Sequence, residues 1–147
     1  MWGKRMIRWG LFIGTTSGIV LGLYLWFVEQ VTGMRVYTLL MNVDFIPVLG
    51  DIDWPVFMEW FFHILISWAI GIIYAYLLMY RLRKTNRNRW LLAVGLTLFA
   101  AFTYVPLTIL AVKETPGLTD GAAITQWLIG HALYAITLKM SFSRFRT

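Results

Sequence analysis

Four uncharged runs divide the chain so that its charges separate by sign. They are Trp9–Val28, bounded by Arg8 and Glu29; Trp60–Tyr80, bounded by Glu59 and Arg81; Trp90–Val112, bounded by Arg89 and Lys113; and Gly121–Leu138, bounded by Asp120 and Lys139. The two tails and the connection Arg81–Arg89 hold 11 of the 13 Lys and Arg residues and no acid, whereas the other two connections hold all 7 Asp and Glu with only Arg35 and Lys113. At a helical rise of 1.5 Å per residue, the first three runs are long enough to cross a hydrocarbon layer about 30 Å thick. The fourth, at 18 residues, is short, so its ends should sit close to the interfaces. Basic connections are retained in the cytoplasm. The pattern predicts an all-α polytopic membrane protein, one domain over residues 1–147 with four transmembrane helices and both termini cytoplasmic.

Composition agrees and narrows the classes. With 59% hydrophobic and only 14% charged residues, the chain does not have the make-up of an ordinary water-soluble domain. The net charge of +6 comes from residues just beyond apolar runs, where they orient the protein and meet anionic headgroups, so nucleic acid is not an expected partner. Cysteine is absent, which excludes disulfides, thiolate metal sites and covalent c-type haem. The first run follows Lys4, Arg5 and Arg8 like a signal peptide, but its 20 uncharged residues exceed an h-region of about 7–15. A retained anchor is expected. Trp2, Trp9, Trp26, Trp54, Trp60 and Trp90 lie near run ends, where an indole can place its ring and its N–H at the headgroup boundary.

The connection Glu29–Glu59 is the only one long enough to have structure of its own, and it is rich in apolar residues. A short helix over Arg35–Val43, stopped before Pro47 and lying in the outer interface, would bury them, with Gly50 and Pro55 shaping the return. In the turn Lys113–Asp120, Thr119 or Asp120 can cap the fourth helix.

Within the first run, Gly10, Gly14, Gly18 and Gly22 recur every fourth residue and line one helix face, a glycine zipper against which a second backbone can pack closely. That face suits a neighbouring helix of the same chain, or a second copy or a membrane-protein partner. The second run places Glu59, His63, Ser67, Gly71 and Tyr74 on one stripe, because steps of four residues advance only about 40° each. Glu59 and His63 are one turn apart, within reach of a shared hydrogen bond. His131, about 16 Å along the fourth helix from Asp120, reaches a depth similar to that of His63, about 12 Å from Pro55. Pro106 interrupts the third helix and frees a carbonyl. The candidate polar cluster in the outer half of the bilayer is therefore Glu59, His63, Ser67, Thr103, Tyr104, Gln126, His131 and Tyr134.

Three functions fit such a cluster. It can be structural glue that fixes helix register, with a pH-responsive character from its histidines. It can handle protons or small cations, a Glu–His pair below an acidic vestibule acting as a relay, and with so few spans it would do so as an oligomer. It can hold b-haem or another metal between two histidines on parallel helices. The first is the primary expectation: a non-enzymatic structural or accessory membrane protein without cofactor or metal. No nucleophile is accompanied by a base, so no enzyme is expected.

From His63 onward, the His63 and Ser67 pair, Gly71, Tyr74, the basic loop, Pro106-Leu107, a Thr-Pro turn and Gly130-His131 resemble the YagU-like group of small bacterial inner-membrane proteins. The region from Pro106 through Tyr134 to Ser141-Phe142 is similar to the YqhR-like membrane proteins of Bacillus. The resemblance implies a bacterial plasma-membrane location and, on the YagU-like side, an association with acid tolerance. It carries no catalytic or binding residues over.

Overall fold

The computed structural model describes residues 2–83 and 85–143, with Trp2 by its backbone alone. Lys84, Arg144 and Arg146 of the predicted basic side, and the Trp2 indole, lie outside the described residues. The elements are α1 (Trp2–Thr32), α2 (Val36–Met41), α3 (Val56–Tyr76) running into a π-turn over Leu77–Arg81, α4 (Asn86–Ala101), α5 (Tyr104–Leu110) and α6 (Gly121–Ser143). The described residues contain no strand.

Among the described residues, three helical stretches are long and apolar enough to cross a membrane: Gly3–Thr32, Val56–Arg81 and Asn86–Leu110. They coincide with the first three uncharged runs; the first two extend beyond them at both ends and the third begins earlier, at Asn86, but stops at Leu110, short of the predicted Val112. α6 has 23 residues, which at 1.5 Å each is about 34 Å, although Gln126 and His131 dilute its apolar content. It outruns the predicted Gly121–Leu138 because Phe142 packs edge-on against Trp9 and Tyr74.

Local chemistry explains the ends. α1 stops at Gly33, whose φ of +75° favours glycine and whose N–H reaches the Glu29 carbonyl at 2.9 Å. α4 begins at Thr85, whose hydroxyl accepts the Asn88 N–H at 3.2 Å, and the Asp120 carboxylate caps α6 by accepting the Ala123 N–H at 3.0 Å. The gap between α4 and α5 follows from Pro106. Lacking an N–H, it leaves the Phe102 carbonyl without its usual donor. The Val105 N–H turns to that carbonyl at 3.3 Å and thereby leaves Ala101 O, which takes the indole N–H of Trp127 at 3.0 Å instead.

α1 is the central helix. It packs against α3 and α6, and α4 packs on α6. α1 is antiparallel to α3, as Gly10 faces Ile72 while Gly22 faces Trp60. It is antiparallel to α6 as well, with Trp9 against Phe142 at one end and Tyr24 bonded to Gln126 toward the other. α3 and α6 therefore run in the same direction. The buried core includes Ile13, Leu25, Tyr74, Leu78, Trp127 and Leu138. Large apolar side chains such as Phe27, Ile66, Phe99 and Phe102 point outward, Phe99 being 80% exposed, a surface that a bilayer would cover.

The long connection folds over the acidic end. α2 is shorter than the predicted Arg35–Val43 helix and buries Val36, Leu39 and Met41 against the bundle. Both Glu29 carboxylate oxygens hold it, one accepting the Thr38 N–H at 2.8 Å and the other its hydroxyl at 2.7 Å. Farther along, Asp44 accepts the N–H groups of Val112 and Lys113 at 3.1 and 2.6 Å, which ties the loop to the end of α5.

Candidate functional site

The site is built on the glycine face of α1. A Cβ on Gly14 would lie 2.5 Å from the Ser67 carbonyl oxygen, and one on Gly18 would lie 2.9 Å from the Ser67 hydroxyl, so only glycine permits this approach. With the backbones so close, carbonyls of α1 come within reach of short side chains on α3. Ser67 Oγ donates to Gly14 O at 2.7 Å, and His63 Nε2 lies 3.0 Å from Gly18 O. The glycine face is thus occupied by α3 of the same chain, and a second copy would need a different face.

α6 closes the site from the other side. Gly130 admits Leu21, Tyr24 and Leu25 of α1, which brings Tyr134 OH to 2.8 Å from Ser67 Oγ. The only proton on the Ser67 hydroxyl goes to Gly14 O, so Tyr134 is the donor of that second bond. His131 lies one turn toward the acidic end. Its Nδ1 is 2.8 Å from the Trp127 carbonyl, and its ring centroid is 4.7 Å from the Trp127 ring.

The acceptors fix the tautomers. A carbonyl only accepts, so the bonded nitrogen in each ring carries hydrogen: Nε2 in His63 and Nδ1 in His131. In the neutral rings this leaves Nδ1 of His63 and Nε2 of His131 as lone-pair nitrogens. The residues are 8% and 4% exposed.

Four of the eight candidate residues therefore come together: His63, Ser67, His131 and Tyr134. The other four are elsewhere. Glu59 does not bond to His63 but pairs with Lys113 at 3.2 Å, because the α5–α6 connection carries that ammonium over the start of α3. Thr103 is exposed and bonds back to Ala100 O at 2.6 Å. Tyr104 donates to Gly117 O at 2.9 Å, and Gln126 accepts from Tyr24 at 2.5 Å. Four more of the acids expected to form a vestibule are also engaged, Glu114 with Arg35 at 3.1 Å, Asp44 and Glu29 in the loop, and Asp120 in its cap.

Other residues of the site were not among the candidates. Trp127 roofs His131 and docks on the carbonyl freed by Pro106, and Trp68 donates its indole N–H to Thr15 at 2.7 Å. These two are the tryptophans that do not lie near a run end, which is the signal that separates them from the interface set. Thr97 is buried with no partner for its hydroxyl among the described residues. It stands at the His131 level of the α4–α6 seam, four residues from Ala101 as His131 is four from Trp127.

For haem the fit is poor. Nε2 of His63, the nitrogen that ordinarily reaches haem iron, faces Gly18 O at 3.0 Å instead. The described residues hold no group of three or more His, Cys, Asp or Glu that could hold a metal ion. What the arrangement can do is cross-link three helices through donors inside one and acceptors on another. None of the known protein families, curated proteins or solved structures compared with this chain matches it.

Proposed function

We propose that the chain is a non-enzymatic structural or accessory protein of the bacterial plasma membrane, with four spans and both termini cytoplasmic. In this reading the His63–Ser67–His131–Tyr134 cluster sets the register of α1, α3 and α6. The observation that carries it is the pair of bonds through one oxygen, Tyr134 to Ser67 to Gly14 O. Polar side chains that satisfy one another across helices in a low-dielectric layer act as glue. The four-span count is supported by α6 running alongside α1 from the Trp9–Phe142 contact to the Tyr24–Gln126 bond and by its length of about 34 Å, enough to cross a hydrocarbon layer about 30 Å thick. The bacterial location rests on the resemblance from His63 onward.

A second reading, an oligomeric proton or small-cation conductor, is favoured by the two lone-pair imidazole nitrogens and by the Thr97 hydroxyl, which has no partner among the described residues. Proton flux in proteoliposomes under an imposed pH gradient separates the two. The structural role predicts no flux above empty vesicles, and His63→Ala and His131→Ala proteins that melt earlier in detergent. Flux that depends on either histidine would overturn it in favour of conduction.

A further inference from the structure

We propose that the basic end of the bundle carries a binding site for the phosphodiester headgroup of an anionic phospholipid, centred on the last turns of α6. Two cation–aromatic pairs flank that turn. On the α1 side the Arg5 guanidinium lies 4.5 Å from the Trp9 ring centroid, and Trp9 meets Phe142 of α6 edge-on with centroids 6.2 Å apart. On the α4 side Lys139 Nζ lies 5.1 Å from the Trp90 centroid. Holding each cation over an indole limits its conformational freedom and sets it at the depth where an indole prefers to lie, the boundary between hydrocarbon and headgroup.

Charge selects the ligand. All seven acidic side chains lie in the two connections at the opposite end, so no carboxylate side chain of the chain answers Arg5, Arg8, Arg87 or Lys139. The complementary anion at this depth in a bilayer is a lipid phosphate, and an anionic lipid supplies it without the compensating ammonium of a zwitterionic one. Trp90, partly exposed beside Lys139, offers apolar surface for the first methylenes of an acyl chain, while the buried Phe142 anchors Trp9 to α6.

The test uses the full chain in vesicles of equimolar phosphatidylglycerol and phosphatidylcholine, with retained lipid read by native mass spectrometry. The wild-type protein should retain phosphatidylglycerol preferentially, and Arg5→Gln and Lys139→Gln should each lower that preference by roughly fivefold. Arg83→Gln, which removes an exposed cation of the same side, should change it by less than about twofold. Equal retention of both lipids by the wild-type protein would overturn the proposal whatever the variants do. An Arg83→Gln loss as large as that of Lys139→Gln would replace the site with diffuse attraction. Displacement of the lipid by millimolar glycerol phosphate would make it a free-phosphate site.

Discussion

Ser67 carries two helix contacts through one oxygen, and its two neighbours depend on it unequally. In Ser67→Ala the Tyr134 O–H loses its acceptor inside the bundle and Gly14 O loses its second donor. In Tyr134→Phe only a lone pair of Ser67 is left without a partner, and the bond to Gly14 O stays. Interhelical hydrogen bonds in membrane proteins contribute about 0.6 kcal/mol on average and up to about 1.7, and a buried donor costs more to orphan than a lone pair. Ser67→Ala should therefore destabilise by about 1–2 kcal/mol and Tyr134→Phe by less than about 1, as measured by denaturant titration in micelles. Equal losses would show that Tyr134 does not donate to Ser67. The imidazoles allow a second check at this scale. Nitrogen chemical shifts of labelled protein should report the Nε2–H form for His63 and the Nδ1–H form for His131, and the reverse assignment in either ring would remove its bond to the carbonyl. That His63 and Ser67 share a stripe was legible from their spacing of four. Their partners, Gly18 O and Gly14 O, are backbone atoms of another helix, and no side-chain pattern reports which carbonyls a glycine face exposes.

The α4–α5 break shows how one residue reorganises an element and then a neighbour. Pro106 marked the break in the sequence, but where the freed carbonyl would go was not legible, because that depends on α6 bringing Trp127 alongside. With Pro106→Ala the continuous helix becomes available again. The Val105 N–H can return to Ala101 O, where it competes with the Trp127 indole. The expected outcome is slower hydrogen exchange at the Val105 amide together with a red-shifted or more quenchable Trp127 emission, read in a protein whose other tryptophans are replaced by Phe. An unchanged Trp127 signal would mean that the indole holds its acceptor without help from proline. Glu59 illustrates the opposite limit. On α3 it stands one turn from His63, and local spacing favours that pair. Lys113, 54 positions away in the chain, wins it because a strong opposite charge at the interface outcompetes a neutral ring buried one turn deeper. Long-range pairing of this kind is invisible to periodicity.

At the scale of the whole molecule, the two ends are built differently. The acidic end is latched by its own charges, through Glu29 and Thr38, Asp44 and the Lys113 amide, and Glu59 and Lys113, so its connections are fixed within the chain. The basic end holds Arg5 and Lys139 over tryptophan rings, and its tails and connection contain no Asp or Glu. Such asymmetry is what a bundle embedded in a bilayer with an anionic inner leaflet requires, and it makes the orientation of α6 decisive. α6 is not one of the three stretches long and apolar enough to cross a membrane, yet it runs alongside α1 from Trp9 to Tyr24. If α1 crosses the bilayer, an α6 that did not would have to give up either the Phe142 contact with Trp9 or the Gln126 bond to Tyr24, which lie about 22 Å apart along α1. The chain contains no cysteine, so single substitutions can be labelled without background. Asp51→Cys should react with a membrane-impermeant maleimide in intact cells, whereas Arg83→Cys and Ser143→Cys should react only after permeabilisation. Labelling of Ser143→Cys from the same side as Asp51→Cys would leave three spans, detach the end of α6 from Trp9, and with it remove the flank on which the proposed lipid site depends.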